Sequence, residues 1–179
     1  MQSWMPRSAV WPRAAMLAAV LPAACSQPDQ FAPACPALKL LRDGADVSSF
    51  NGHGRDVTDL LLSARITAVP ASCKAGGRGK VDATMNVVMV VNRGPALPGR
   101  TAQVPYFVTV MDGNSVLQQK DYLMPVEFPP NVDVGQATSD DIQMEFPVSP
   151  TKSAAAYTIY VSFRLTPEQL QYNRRNQPP

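Results

Sequence analysis

One stretch constrains this chain more than any other. From Lys80 to Gly94 the sequence runs KVDATMNVVMVVNRG. Val81, Ala83, Met85, Val87, Met89 and Val91 share one parity, while Asp82, Thr84, Asn86 and Asn92 fall on the other. Side chains that alternate between two faces with a period of 2 belong to an extended strand, and a helix would scatter these apolar residues around its axis. A chain that contains such a segment must build a sheet and cover one face of it.

The same period recurs. Leu60, Leu62, Ala64, Ile66 and Ala68 alternate with Ser63, Arg65 and Thr67. A helix starting at Asp56 is the rival for the first part of that segment. Val104, Tyr106, Val108 and Val110 form one arm of a hairpin, Asp112-Gly113-Asn114 its turn, and Tyr122, Met124, Val126 and Phe128 the other arm. Pro105 and Pro125 cannot donate to a ladder, which places edge stretches in both arms. Ile142, Met144, Phe146 and Val148 alternate, as do Tyr157, Ile159, Val161, Phe163 and Leu165. The segments DGADVSSFNGHGRD and PPNVDVGQATS read as loops from their Gly, Asp and Pro content. At the end, Thr166 is placed to cap a helix, Pro167 suits its first position and Gln169 sits three after the cap. Strands without alternating helices predict an all-β, antiparallel β-sandwich, immunoglobulin-like in the default case, with a short C-terminal helix.

The first residues follow another logic. Arg7 and Arg13 precede an apolar run from Ala14 to Ala24, with no acid before Asp29. The run is shorter than the roughly 20 residues that cross a bilayer and fits the apolar region of a signal peptide. It ends in LPAAC, residues 21–25, which resembles the lipobox of bacterial lipoproteins; Pro22 stands where that motif usually has Leu. The resemblance implies cleavage before Cys25 and acylation of its thiol and new amino group, so that the protein associates with the lipid membrane through acylated Cys25. Several chains on one residue hold far better than one, at about 0.8 kcal/mol per buried methylene. Secretion with cleavage at an Ala-x-Ala-like site is the alternative. Ser26 rather than Asp after the cysteine implies, by the same resemblance, the outer membrane with the domain facing the periplasm. The expected organisation is a signal peptide at 1–24, a lipidated cysteine and Pro-containing tether at 25–34, the sandwich at 35–175 and a frayed tail at 176–179.

If Cys25 is acylated, Cys35 and Cys73 remain, and an even pair in an oxidising compartment reads as a disulfide. No Cys-x-x-Cys is present to suggest redox work. Arg7 and Arg13 carry the whole formal excess of +2, so the chain after residue 24 is balanced. A nucleic-acid partner, which calls for a basic excess, is not expected.

Candidate chemistry is sparse. His53, the single histidine, is flanked by glycines with no nucleophile-elbow motif in the chain. Met85, Met89, Met111, Met124 and Met144 offer soft thioethers for copper(I), but Met85, Met89 and Met144 sit in apolar alternation, where Met fills cores. Asp140, Asp141 and Glu145 offer oxygens to calcium or form a solvated edge. Arg55, Arg78, Lys80, Arg93 and Arg100 fall in or near loops and read as dispersed, solvated charge; the alternative is an anion- or protein-binding patch if those loops cluster at one end. Phe107 and Tyr160 point outward and could anchor a partner.

Together, GRDVTDLLLSARITAVPASC, RGPALPGRTAQVPYFVTV, FPPNVD and KSAAAYTIYVSFRLTPEQLQYNRR resemble a family of small, uncharacterised lipoproteins of Gram-negative bacteria. The resemblance implies an envelope location and no activity or cofactor. The leading expectation is a non-enzymatic module that binds an envelope protein or assists envelope assembly; the alternative is a ligand-binding lipoprotein for a glycan or a metal ion.

Overall fold

The computed structural model describes residues 33–52 and 54–176. Cys25, the segment 1–24 and His53 lie outside the described residues. The expected antiparallel β-sandwich with a short C-terminal helix is what the chain forms.

The first layer contains β1 (Ala37–Leu40), β7 (Thr101–Asp112), β8 (Ser115–Glu127) and β11 (Tyr157–Phe163), in the order β1-β11-β7-β8. All its pairings are antiparallel except β1 with β11. The second layer contains β2 (Asp46–Phe50), β3 (Leu60–Ala68), β6 (Val88–Arg93) and β9 (Val134–Thr138), in the order β2-β3-β6-β9. Beyond them β4 (Ala71–Ala75), β5 (Lys80–Met85) and β10 (Ile142–Pro147) pair in the order β10-β5-β4. In an immunoglobulin order the last strand pairs with the one before it. Here β10 continues along the second layer, so β11 pairs instead with β7 and β1.

The second layer and the three-stranded sheet are one surface with a crease. Ala68 faces Val88 and Val88 faces Thr138 on one side of it; Ala71 faces Met85 and Met85 faces Ile142 on the other. Each long strand therefore breaks at the same level, at Val69-Pro70, Asn86-Val87 and Ser139-Asp141. Pro70 has no N–H to continue the ladder, but its carbonyl accepts from Asn86 N at 3.1 Å. Val87 is fully buried, and its amide donates to Ser139 Oγ at 2.9 Å. Ser139 N donates in turn to Val87 O at 2.9 Å. Asn86 Nδ2 donates to Ser139 O at 3.1 Å and to Asp141 Oδ1 at 2.8 Å. Side chains thus replace the ladder where it is interrupted, as buried backbone groups require.

The alternation on either side of the crease stays in phase. Val81, Ala83, Met85, Val87, Met89 and Val91 are all buried, and they join Leu62, Ala64 and Ile66 of β3 in one core. Val104, Tyr106, Val108 and Val110 of β7 face them, with Ile159, Val161 and Phe163 of β11 in the same cluster. The hairpin turn falls at Gly113, whose positive φ of 56° suits a residue without a Cβ. Pro125 lies on the edge strand β8, and Pro105 lies just past the end of β11, where its carbonyl accepts from Arg164 N at 3.0 Å.

Two segments read as loops are strands. Arg42–Gly44 is a 3-10 turn and Asp46–Phe50 is β2. Val134–Thr138 is β9. Neither shows a clear apolar alternation because their core-facing positions are mostly small or polar: beside Val47, Ser49 lies opposite Leu62 in β2, and in β9 Gly135 lies opposite Val91 and Ala137 opposite Met89. Before β3, Val57–Asp59 forms only a single 3-10 turn.

The helix α1 (Pro167–Asn176) begins with the expected reciprocal cap: Gln169 N donates to Thr166 Oγ1 at 3.2 Å and Thr166 N to Gln169 Oε1 at 2.9 Å. Buried Asn173 docks it, donating to Asp43 O at 2.8 Å and Asp46 O at 2.7 Å. The helix therefore straps the 42–44 turn, which passes from the first layer to the second.

Cys35 and Cys73 form the expected disulfide across a sequence separation of 38. It ties the chain just before β1, an edge of the first layer, to β4, an edge of the second. On the chain-entropy account a closure of this length stabilises by about 4 kcal/mol. Replacing both cysteines by serine is expected to lower the unfolding free energy by about that amount, read from urea unfolding with a larger m-value, because the unfolded chain without its cross-link exposes more surface; added reductant should then act only on the wild type.

Candidate functional site

Of the loop cations only Arg93 and Arg100 are seen to gather, and they do so as structure. Arg93 donates to Gly99 O and Leu97 O, both at 2.9 Å. Arg100 donates to Phe128 O at 2.7 Å, Val132 O at 2.6 Å and Pro129 O. Both lie 3.6 Å from Asp133. Their guanidinium groups donate to loop carbonyls: Arg93 fixes the loop between β6 and β7, and Arg100 the chain where it leaves β8 for β9. The other cations are elsewhere: Lys80 pairs with Glu145 at 2.5 Å, and Arg55 lies over Phe50 and Tyr172.

The acids proposed for calcium are likewise engaged. Asp141 accepts from Asn86 and Glu145 from Lys80. Among the described residues no three His, Cys, Asp or Glu side chains are grouped to hold a metal. Met85, Met89 and Met124 are buried in the core. Phe107 lies under the Arg164 guanidinium, 5.1 Å from its centroid, and Arg164 also pairs with Asp121.

What stands open is a strand edge. Among the described residues β8 pairs only with β7, and it is the longest strand of the fold. Its residues from Ser115 to Asp121 are all exposed. Three large apolar side chains stand on it in water: Val116 at 60% exposure, Leu117 at 54% and Leu123 at 66%. A long edge with unpaired backbone groups and apolar side chains is a template for another strand. Natural edges are blunted by charge and by proline, and here Lys120, Asp121, Pro125 and Glu127 are the devices present on β8. Sequence reasoning could not rank this edge above others, because edge status depends on which strand lies beside it.

Next to this edge the crease supplies a cleft. About 220 Å³ lies between Tyr122–Pro125 on β8 and Thr138–Ile142 at the crease, with Tyr106 at its base. Tyr106 and Tyr122 stack with centroids 5.2 Å apart at 16°. Lys120 Nζ lies 5.1 Å from the centroid of Tyr122. Asp140 and Asp141 give the opposite wall a negative character. The edge thus offers backbone pairing and an adjacent recess for a side chain, the two components of recognition by strand addition.

No protein-family model, curated protein or solved structure matches this chain. The fold and the exposed edge therefore carry the functional argument.

Burial raises the pKa of Tyr106 above the usual tyrosine value; Ser139 pulls against this while Tyr122 and Asp140 add to it. Burial raises Tyr122 as well. A folded-state pKa above the unfolded one, about 10 for tyrosine, gives stability that is present below that pH and lost as pH rises through the folded value. Lys80 and Lys152, raised by Glu145 and Asp112, lose their pairing in the same alkaline direction, but as exposed pairs they contribute little. Urea midpoints should therefore fall as pH rises above about 10, and Tyr122→Phe should fall less steeply than wild type.

Proposed function

We propose that this protein is a non-enzymatic binding or assembly module of the bacterial envelope, tethered to the outer membrane through acylated Cys25, that takes up a partner protein by strand addition at β8. The observation that carries the binding reading is the exposed apolar edge of β8 beside the tyrosine cleft. The partner contributes an extended segment whose backbone completes the ladder and whose side chain enters the cleft. The acid wall formed by Asp140 and Asp141 favours a segment with a basic or aromatic residue at that register. The tether reading rests on the lipobox-like LPAAC and on Ser26.

Photo-crosslinking residues placed in cells at Gln119 and at Leu123 are expected to give one discrete adduct, and the same residue at Thr67 on the second layer none. Leu117→Lys with Leu123→Lys should abolish the adduct, since lysine on an edge opposes pairing, while leaving the thermal midpoint within about 2 °C of wild type, as surface changes usually do. Equal adducts from both faces, or turnover of a substrate by the purified protein, would sink the reading. Cys25→Ser is expected to move the protein from the outer-membrane to the soluble periplasmic fraction; unchanged partitioning would remove the anchor.

A further inference from the structure

A second concave surface lies away from β8, on the outer face of the first layer. It is bounded by the 41–44 turn, the end of β11 and helix α1, and encloses about 440 Å³. That is within the range of small-molecule clefts, about 300–1,000 Å³. No residue of β8 lines it. Leu41, Phe107, Leu165 and Leu170 make its walls apolar. Leu41 is itself exposed at the mouth. The turn is held close to the sheet because Gly44 has no side chain: a Cβ there would overlap Ser162 Oγ.

The charges around the groove are one-sided. Arg42, Arg164 and Arg174 line it, against a single carboxylate, Asp43. Arg174 pairs with Asp43 at 2.9 Å, and Arg164 reaches out to Asp121 beyond the groove. Arg42 makes no side-chain hydrogen bond or ion pair with any described residue and is exposed. The rim therefore presents uncompensated positive charge beside apolar walls.

The polar atoms of the floor are already used. The single Ser162 Oγ proton is shared between Phe163 O at 2.9 Å and Gly44 O at 3.3 Å. Leu41 N donates to Val161 O, Gly44 N to Leu41 O, and Asp43 O accepts from Asn173. A peptide laid on this floor would find Leu41 N, Gly44 N and the Asp43 carbonyl already engaged and would bury some of its amides at a cost. A hydrocarbon chain has no such requirement.

We propose that this groove binds a single-chain lipid with an anionic head group, its chain along Leu41, Phe107, Leu165 and Leu170 and its head at Arg42. Arg174 and Arg164, which line the same groove, add attraction from their paired positions. The site is independent of the β8 edge and stands or falls separately from it.

The test is titration of the full chain, delipidated over a hydrophobic resin, with palmitate and with hexadecanol, which has the same chain and no charge. Palmitate is expected to bind saturably and more tightly than hexadecanol, and to weaken as salt is raised. Arg42→Glu should weaken palmitate about tenfold, equivalent to about 1.4 kcal/mol, and Leu41→Asp should abolish binding, both at an unchanged thermal midpoint. Absence of saturable palmitate binding, equal affinity for the two probes, or unchanged affinity in both variants would overturn the proposal. So would displacement of palmitate by an apolar peptide with a free terminal carboxylate at lower concentration, which would assign the groove to a protein chain.

Discussion

A backbone amide taken out of water must find an acceptor, and at Val87 this requirement shapes the molecule. The long second layer breaks at one level across three strands, and Val87 sits fully buried in the break. The hydroxyl of Ser139 accepts its amide, and Asn86 bridges back to the segment that holds Ser139 and Asp141. An unmet buried amide costs about 1–3 kcal/mol. With the amide met, the sheet can turn without losing its core row, since Met85, Val87 and Met89 all remain inside. The same segment then becomes the wall of the cleft opposite Tyr122. One satisfied amide thus links the continuity of the core to the shape of the surface that borders β8.

The sides of the sandwich are treated differently. Near β1 and β2 the chain is locked: the disulfide joins the segment before β1 to β4, and α1 is fixed over the 42–44 turn by Asn173. The departure from β8 is fixed as well, by the carbonyl clamp of Arg100 on Phe128, Pro129 and Val132. The outer edge of β8 has no such cover among the described residues, and its apolar side chains face solvent. A fold that ties down its other connections and leaves its longest strand at an edge, with apolar side chains on it, has there its longest template for another strand. The groove at α1 is different in kind. There the backbone is consumed and the recognition chemistry that remains is apolar surface with guanidinium groups around it.

Much of the core was legible because burial and strand period coincide. The rows from Val81 to Val91 and from Val104 to Val110 could be assigned to the inside before any neighbour was known. The cap of α1 was legible from Thr166 and Gln169, which are local chemistry. The strands β2 and β9 were not, because Ser49, Gly135 and Ala137 stand at core-facing positions where an apolar row would have marked a strand. The arginines drew attention as a possible patch. Their actual partners are main-chain carbonyls, which a sequence cannot rank as neighbours.

The sequence by itself determined that this chain is a sandwich, which residues fill it, where its terminal helix begins and which two cysteines were candidates to pair. These follow from periodicity, local capping and compartment chemistry, all of which act over a few residues or on composition. Only the tertiary structure decided that three strands would break at one level, that the longest strand, β8, would lie at an edge, and that Arg42 would line one groove with Arg164 and Arg174. Those outcomes depend on strand order and register. A hydrogen-bonded ladder joins residues far apart in the chain, and nothing in a single segment states which neighbour it will meet.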